Sequence, residues 1–202
     1  MDITKELPVM EHFYTLQGEG NNVGKPCYFI RIAGCDVGCS WCDVKESWEA
    51  DKHPIFSFEQ LLNFVNESKA TNVVITGGEP CMYDLTDFTT FLKNNNLQIW
   101  LETSGAHHIR GHFDWICLSP KKFKYPLPES LAKADELKVV VLNNHDFIWA
   151  EENAKQTKSN CRLYLQPEWD KASANTGKII DYIKANQQWT LSLQTHKYLN
   201  IP

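Results

Sequence analysis

No run in this sequence approaches the roughly 18 consecutive apolar residues that a membrane-spanning helix needs. The first residues, Met1-Asp2-Ile3-Thr4-Lys5-Glu6, lack both the basic and the apolar stretch of a secretory leader. Positive charge is in deficit. The formal net charge of −5 argues against a general surface for nucleic acid or another polyanion. There is no internal repeat, no low-complexity tract and no linker-like stretch. These absences predict one domain over 1–202 in a reducing cytoplasm, with no membrane and no nucleic acid as partner. A hydrophobic content of 43 % in 202 residues suffices for a real core.

What is present is cysteine. Three of the seven, Cys35, Cys39 and Cys42, stand at the spacing C-x3-C-x2-C, directly after an apolar run that reads as a strand. Three thiolates so close together can hold three irons of a 4Fe–4S cube, leaving the fourth iron open to a small molecule. Zinc held by three thiolates and His53 is a second reading, although no further C-x2-C pair completes a ribbon. A disulfide framework fits poorly: seven is odd, and Cys27, Cys81, Cys117 and Cys161 lie scattered. Those four are expected to be buried as small apolar side chains.

Strands are predicted at Cys27–Ile32, Asn72–Thr76, Gln98–Glu102, Trp115–Leu118, Leu137–Leu142, Arg162–Leu165 and Thr190–Leu193. Most are continuous apolar runs, as in parallel strands covered on both faces. Helices are predicted between them. One starts at a Ser57 cap, with Gln60 as its capping-box partner, and runs to Lys69 with Phe58, Leu61, Leu62 and Val65 on one side. Others span Asp84–Asn95, with Leu85, Phe88 and Leu92 inward, then Asn144–Thr157 and Thr176–Asn186. The polar stretch 43–56 reads as a loop with room for a short helix. The alternation gives an α/β class, and 202 residues favour a partial, open βα barrel with mostly parallel strands over a closed one.

In such folds, ligands gather at the carboxyl ends of strands. These ends carry the cysteine loop, Thr76-Gly77-Gly78-Glu79-Pro80, Glu102-Thr103-Ser104-Gly105, Ser119-Pro120-Lys121 and Gln166-Pro167-Glu168. Gly77 and Gly78 remove side chains where a ligand could approach the backbone, and Glu79 offers a carboxylate to an ammonium group. His107, His108 and His112 read as a solvated polar loop rather than a metal site.

The cysteine spacing and the Gly-Gly-Glu-Pro turn together resemble the radical S-adenosylmethionine (SAM) superfamily. With Phe13-Tyr14-Thr15-Leu16-Gln17-Gly18-Glu19-Gly20, Arg31, Asp43, Ser119-Pro120-Lys121 and the closing Gln194–Pro202, the chain is similar to the 7-carboxy-7-deazaguanine synthase family from about Glu11 onward. The resemblance implies a lyase that converts 6-carboxy-5,6,7,8-tetrahydropterin to 7-carboxy-7-deazaguanine. Ammonia is lost and SAM is used catalytically, on the way to queuosine and related 7-deazapurines. Cys35, Cys39 and Cys42 would hold the 4Fe–4S cluster in a loop of about 34–56. Gly78, Glu79, Ser104, Ser119, Pro120, Lys121, Gln166, Pro167, Glu168 and Trp169 would contact SAM. Leu16, Gln17, Gly18, Arg31, Thr76 and Pro202 would contact the pterin, with the tail 194–202 closing the pocket. The family pattern also implies a homodimer, and flavodoxin or ferredoxin is the expected reductant.

One position departs from the family pattern. Val44 stands where members place the Thr or Ser that helps to hold magnesium, and valine has no side-chain oxygen for an ion that prefers oxygen ligands. Weak or absent magnesium dependence is therefore expected. Two alternatives stay open at this point: an activating enzyme for a glycyl-radical partner, and a non-catalytic metal-binding module.

Overall fold

A computed structural model describes residues 5–202. Its nine strands form one sheet in the order β3-β1-β2-β4-β5-β6-β7-β8-β9. They are β1 (Glu6–Leu16), β2 (Pro26–Ile32), β3 (Ile55–Ser57), β4 (Asn72–Gly77), β5 (Gln98–Thr103), β6 (Trp115–Leu118), β7 (Glu136–Val141), β8 (Arg162–Pro167) and β9 (Trp189–Leu191). From β2 to β9 every neighbouring pair is parallel. β1 runs antiparallel to both β2 and β3. The sheet is open, as expected.

Helices α1 (Phe58–Ser68), α2 (Thr86–Asn94), α3 (Pro128–Lys133), α4 (His145–Ala154) and α5 (Ala172–Ala185) connect the parallel strands, and α6 (Thr195–Leu199) follows β9. The Ser57 cap forms as predicted. Its hydroxyl accepts from the Gln60 amide, and the Gln60 side chain accepts from the Ser57 amide. Phe58, Leu61 and Val65 are buried, and Leu62 is partly so. Segment 43–56 contains two 3-10 turns and the start of β3.

The apolar runs suggested strands covered on both faces, and the helices α1–α5 cover one of them. α1 and α2 pack on Ile30, Ile32, Val73, Ile75, Ile99 and Leu101. α3, α4 and α5 pack on Leu118, Leu137, Val139, Val141 and Leu165. Strand residues alternate faces, so these positions form one face and the intervening residues the other. The second face carries a small apolar floor of Cys27, Val74 and Trp100. Beyond it lies a cavity of about 590 Å³ at the carboxyl ends of the parallel strands. No helix of the described residues is long and apolar enough to cross a membrane.

Candidate active site

After β2 the chain turns through Gly34 and Gly38, both at positive φ, which favours glycine at these positions. Cys35, Cys39 and Cys42 are free thiols on one wall of the cavity, with Val37 and Ala106 packed beside them. The loop is pinned to the 3-10 turn behind it, Gly34 N–H donating to Ser47 at 2.6 Å and Cys35 N–H to Trp48 at 3.2 Å. Burial raises the Cys35 thiol, and it raises Cys39 to about 11 against the pull of nearby Lys121. Among the described residues no three His, Cys, Asp or Glu side chains gather around a single metal ion. Three thiols spread along one wall suit a cube, in which each binds its own iron. The residues fit a 4Fe–4S cluster with one iron left to a ligand. Cys27, Cys81 and Cys117 are buried, and Cys161 is half-buried.

The turn after β4 has a different cause from the one the sequence suggested. A Cβ on Gly77 would lie 2.1 Å from the Ile32 carbonyl, and one on Gly78 would lie 2.4 Å from that of Gly34 and 2.6 Å from Cys35 Cβ. Gly78 N–H donates to Ile32 at 3.1 Å and Glu79 N–H to Gly34 at 2.9 Å. The two glycines let the turn press against the base of the cysteine loop, and both still line the cavity. The Glu79 side chain does not line it. The residue is 1 % exposed. Its carboxylate accepts from Cys81 N–H (3.0 Å), Thr103 Oγ1 (2.6 Å), Ser104 N–H (2.8 Å) and Ser104 Oγ. It fastens β4 to β5, and no oxygen is free for an ammonium group. Pro120 is likewise buried off the cavity wall, whereas its neighbours Ser119 and Lys121 line it.

The same cavity is also lined by Leu16, Gln17, Gly18, Arg31, Thr76 and Pro202. Arg31 is held by its Nε, which donates to Glu11 at 2.6 Å. Gln17 is engaged at both ends: its Nε2 donates to Glu102 at 3.2 Å, and its Oε1 accepts from Glu19 N–H at 3.2 Å. Behind it lies a charged group that the sequence reading passed over. Lys138 Nζ donates to Glu19 at 2.6 Å and to Glu102 at 3.0 Å. Burial opposes charge on Lys138, but surrounding anions hold its pKa well above the ordinary lysine value. Burial would likewise raise the Glu19 carboxyl, yet Lys138 holds it at about 2. The signal was present in the sequence: a lysine two residues after Glu136, followed by three valines, must find a partner if the strand is buried.

Ser104, Ser119, Lys121, Gln166, Pro167, Glu168 and Trp169 also reach the cavity. Lys121 Nζ donates to the Ser119 carbonyl (2.7 Å) and hydroxyl (2.6 Å) and lies 5.6 Å from the Trp41 ring centroid. Glu168 caps the following turn by accepting from the Asp170 and Lys171 amides. α6 contributes His196 and Lys197 to the cavity lining. Thr195 N–H and Oγ1 donate to the Gly18 carbonyl, and the His196 ring lies against Gly18. Lys197 donates to Asp43 at 3.1 Å and lies 5.0 Å from the Trp169 ring centroid. Thr15 Oγ1 donates to the Pro202 carbonyl at 3.2 Å. Val44 lines the cavity beside this latch and offers no side-chain oxygen; its carbonyl accepts from the Ser47 amide and hydroxyl. In the histidine loop His107 meets Asp36 and His108 meets Glu129.

An open parallel sheet whose strand ends face a three-cysteine wall defines a radical SAM enzyme. A family model described as a 4Fe-4S single cluster domain matches residues 16–106. The 7-carboxy-7-deazaguanine synthase of Flavobacterium psychrophilum is 54 % identical over 97 % of this chain and 93 % of its own. That of a Synechocystis strain is 47 % identical over 98 % and 95 %. The crystal structure of QueE from Escherichia coli superposes with a TM-score of 0.85 at 36 % identity, covering 95 % of each chain. The chain belongs to the 7-carboxy-7-deazaguanine synthase family.

Proposed function

We propose that the protein converts 6-carboxy-5,6,7,8-tetrahydropterin to 7-carboxy-7-deazaguanine with loss of ammonia, regenerating SAM each turn, in queuosine and 7-deazapurine biosynthesis. One observation carries the reading: a single cavity is lined both by the three cysteines and by Arg31 and the Gln17–Glu102–Lys138 group. When bound, the cluster and SAM supply one-electron chemistry able to take a hydrogen atom from a carbon.

The protein's own part is to hold and orient. Cys35, Cys39 and Cys42 ligate the cluster. Gly78, Ser104, Ser119, Lys121 and the Gln166–Trp169 turn surround SAM. Arg31, fixed at Nε by Glu11, presents its two terminal nitrogens to the substrate carboxylate, a fork that lysine cannot offer. Leu16, Gln17, Gly18, Thr76 and Pro202 border the pterin. Glu19 and Glu102 add acceptors suited to its N–H edge. α6 keeps water from the reacting atoms, and this strap also counts against an activating enzyme, whose groove must admit a protein.

The whole chain acts as one radical SAM domain, with a cluster loop of about 34–56 and a closing tail at 194–202. It works in the cytoplasm as a homodimer reduced by flavodoxin or ferredoxin, and its magnesium dependence is weak or absent. The test is an anaerobic reaction of reduced, cluster-loaded protein with SAM and the carboxytetrahydropterin, with product followed by mass. Product in excess of SAM supports the assignment. SAM cleavage without deazapurine points to an activating enzyme, and no cleavage by a protein with a verified cluster points to a metal-binding module.

A further inference from the structure

One carboxylate on the inner face of the sheet has no part in the site described above. Glu136 stands on β7 two residues before Lys138, on the same face. It is 2 % exposed and off the cavity wall. Its Oε2 accepts from the Asn21 amide at 3.1 Å and from the Trp115 indole at 2.9 Å. Its Oε1 is, among the described residues, the one buried side-chain nitrogen or oxygen without a hydrogen-bond partner. Leaving such an atom unpaired is costly, so its place calls for a reason.

The oxygen rests against Gly20. A Cβ at that position would come within 1.9 Å of Oε1 and 2.8 Å of the carboxyl carbon, and Gly20 has φ +63°. Lys138, one step along the strand, binds Glu19 at 2.6 Å. β7 thus grips three consecutive residues, Glu19 by its charge, Gly20 by shape and Asn21 by its amide. They follow directly on Gln17 and Gly18, which line the cavity. Ser192 Oγ, accepting from Gly20 N–H at 3.0 Å, holds the far side of the same turn.

We propose that Glu136 is a positioning residue for the substrate turn. It touches no reacting atom, and it sets the depth at which Gln17 and Gly18 meet the pterin. This rests on the reading that those two residues contact the substrate. Burial raises the Glu136 carboxyl above the ordinary carboxylate range, against the pull of Lys138. A neutral amide of the same shape is therefore a close replacement.

The test measures KM for each substrate separately on the cluster-loaded enzyme. Glu136→Ala is expected to raise the pterin KM about tenfold and leave the SAM KM unchanged, while Glu136→Gln stays within about twofold of the parent. Glu136→Asp, which keeps the charge but draws the carboxylate back from Gly20 and Asn21, should show the same selective rise. Glu136→Ala that alters neither KM, or both alike, overturns the proposal. If Glu136→Ala does not fold, the Glu136→Asp measurement decides alone: a selective rise supports the proposal, and an unchanged pterin KM overturns it. Gln17→Ala separates the two layers. An unchanged pterin KM there sinks the substrate-contact reading and this inference with it. A raised KM there, beside an unaffected Glu136→Ala, sinks only this inference.

Discussion

Replacing Glu79 with alanine removes the single acceptor for four donors on two strand ends. Two of those donors, Cys81 N–H and Ser104 N–H, are backbone amides in a buried setting and cannot turn elsewhere. Thr103 Oγ1 and the Ser104 hydroxyl can rotate but find little water, since both residues are buried. Each buried donor left unpaired costs about 1–3 kcal/mol. Two stranded amides, with partial rescue of the hydroxyls, give a loss of about 3–5 kcal/mol. For a chain of this size, 1 kcal/mol moves Tm by about 2–4 °C, so the expected fall is roughly 10 °C. Far-UV circular dichroism melts of Glu79→Ala against the parent, with and without reconstituted cluster, measure it. The SAM KM of the folded fraction should rise only a few-fold, through the freed Ser104, because the carboxylate itself does not reach the cavity. An unchanged Tm together with a SAM KM raised tenfold would refute the reasoning and return Glu79 to the role of an ammonium ligand.

Lys138→Met leaves Glu19 and Glu102 without their shared cation, and removing one partner of a buried ion group costs about 3–5 kcal/mol. Thermal melts should show that loss, together with a raised pterin KM. The Glu19 carboxyl, held at about 2 in the fold against an ordinary 4.5, contributes stability that is fully present above pH 4.5. That contribution, about 3 kcal/mol, is lost as pH falls toward 2, so Glu19→Gln should flatten the acid limb of a stability–pH curve. Turnover should survive EDTA treatment without added magnesium, and Val44→Thr should create a magnesium response. A large drop in the parent, restored by adding magnesium back, would contradict the role assigned to Val44. Arg31→Lys should raise the pterin KM more than the SAM KM, because the bidentate fork is lost.

The parallel strands and α1, α2 and α4 were legible because their signals are local: apolar runs of strand length and the Ser57–Gln60 capping box. α5 begins earlier than predicted, at Ala172, because its first turn, Ala172-Ser173-Ala174-Asn175, offers no apolar stripe to read. β1 escaped because Glu11, His12 and Thr15 interrupt its apolar pattern. Only the folded chain shows His12 stacked 4.4 Å from Phe64, its ring Nδ1 paired with the Tyr28 hydroxyl. α3 and α6 are short, with little periodicity to read. The cysteine wall and the strand-end residues were read from spacing, whereas the Glu79 clamp and the Lys138 hub depend on contacts between distant strands. A motif residue's identity says that it matters; which way its side chain points is decided by neighbours 24 or 36 residues away.

A nine-stranded sheet with all its strand-covering helices on one side has only half the protein cover of a doubly wound fold. On the other side, loops and the 18–22 turn cover part of the sheet, and the cavity at the strand ends is the part left for ligands. Cofactor and substrate then act as removable pieces of the interior, and their occupancy becomes a term in the folding equilibrium. At a hundredfold excess over Kd, each ligand that binds only the folded chain adds about 2.7 kcal/mol. A cell that runs short of iron or SAM would therefore hold less of this enzyme in its folded form, with no change in its synthesis.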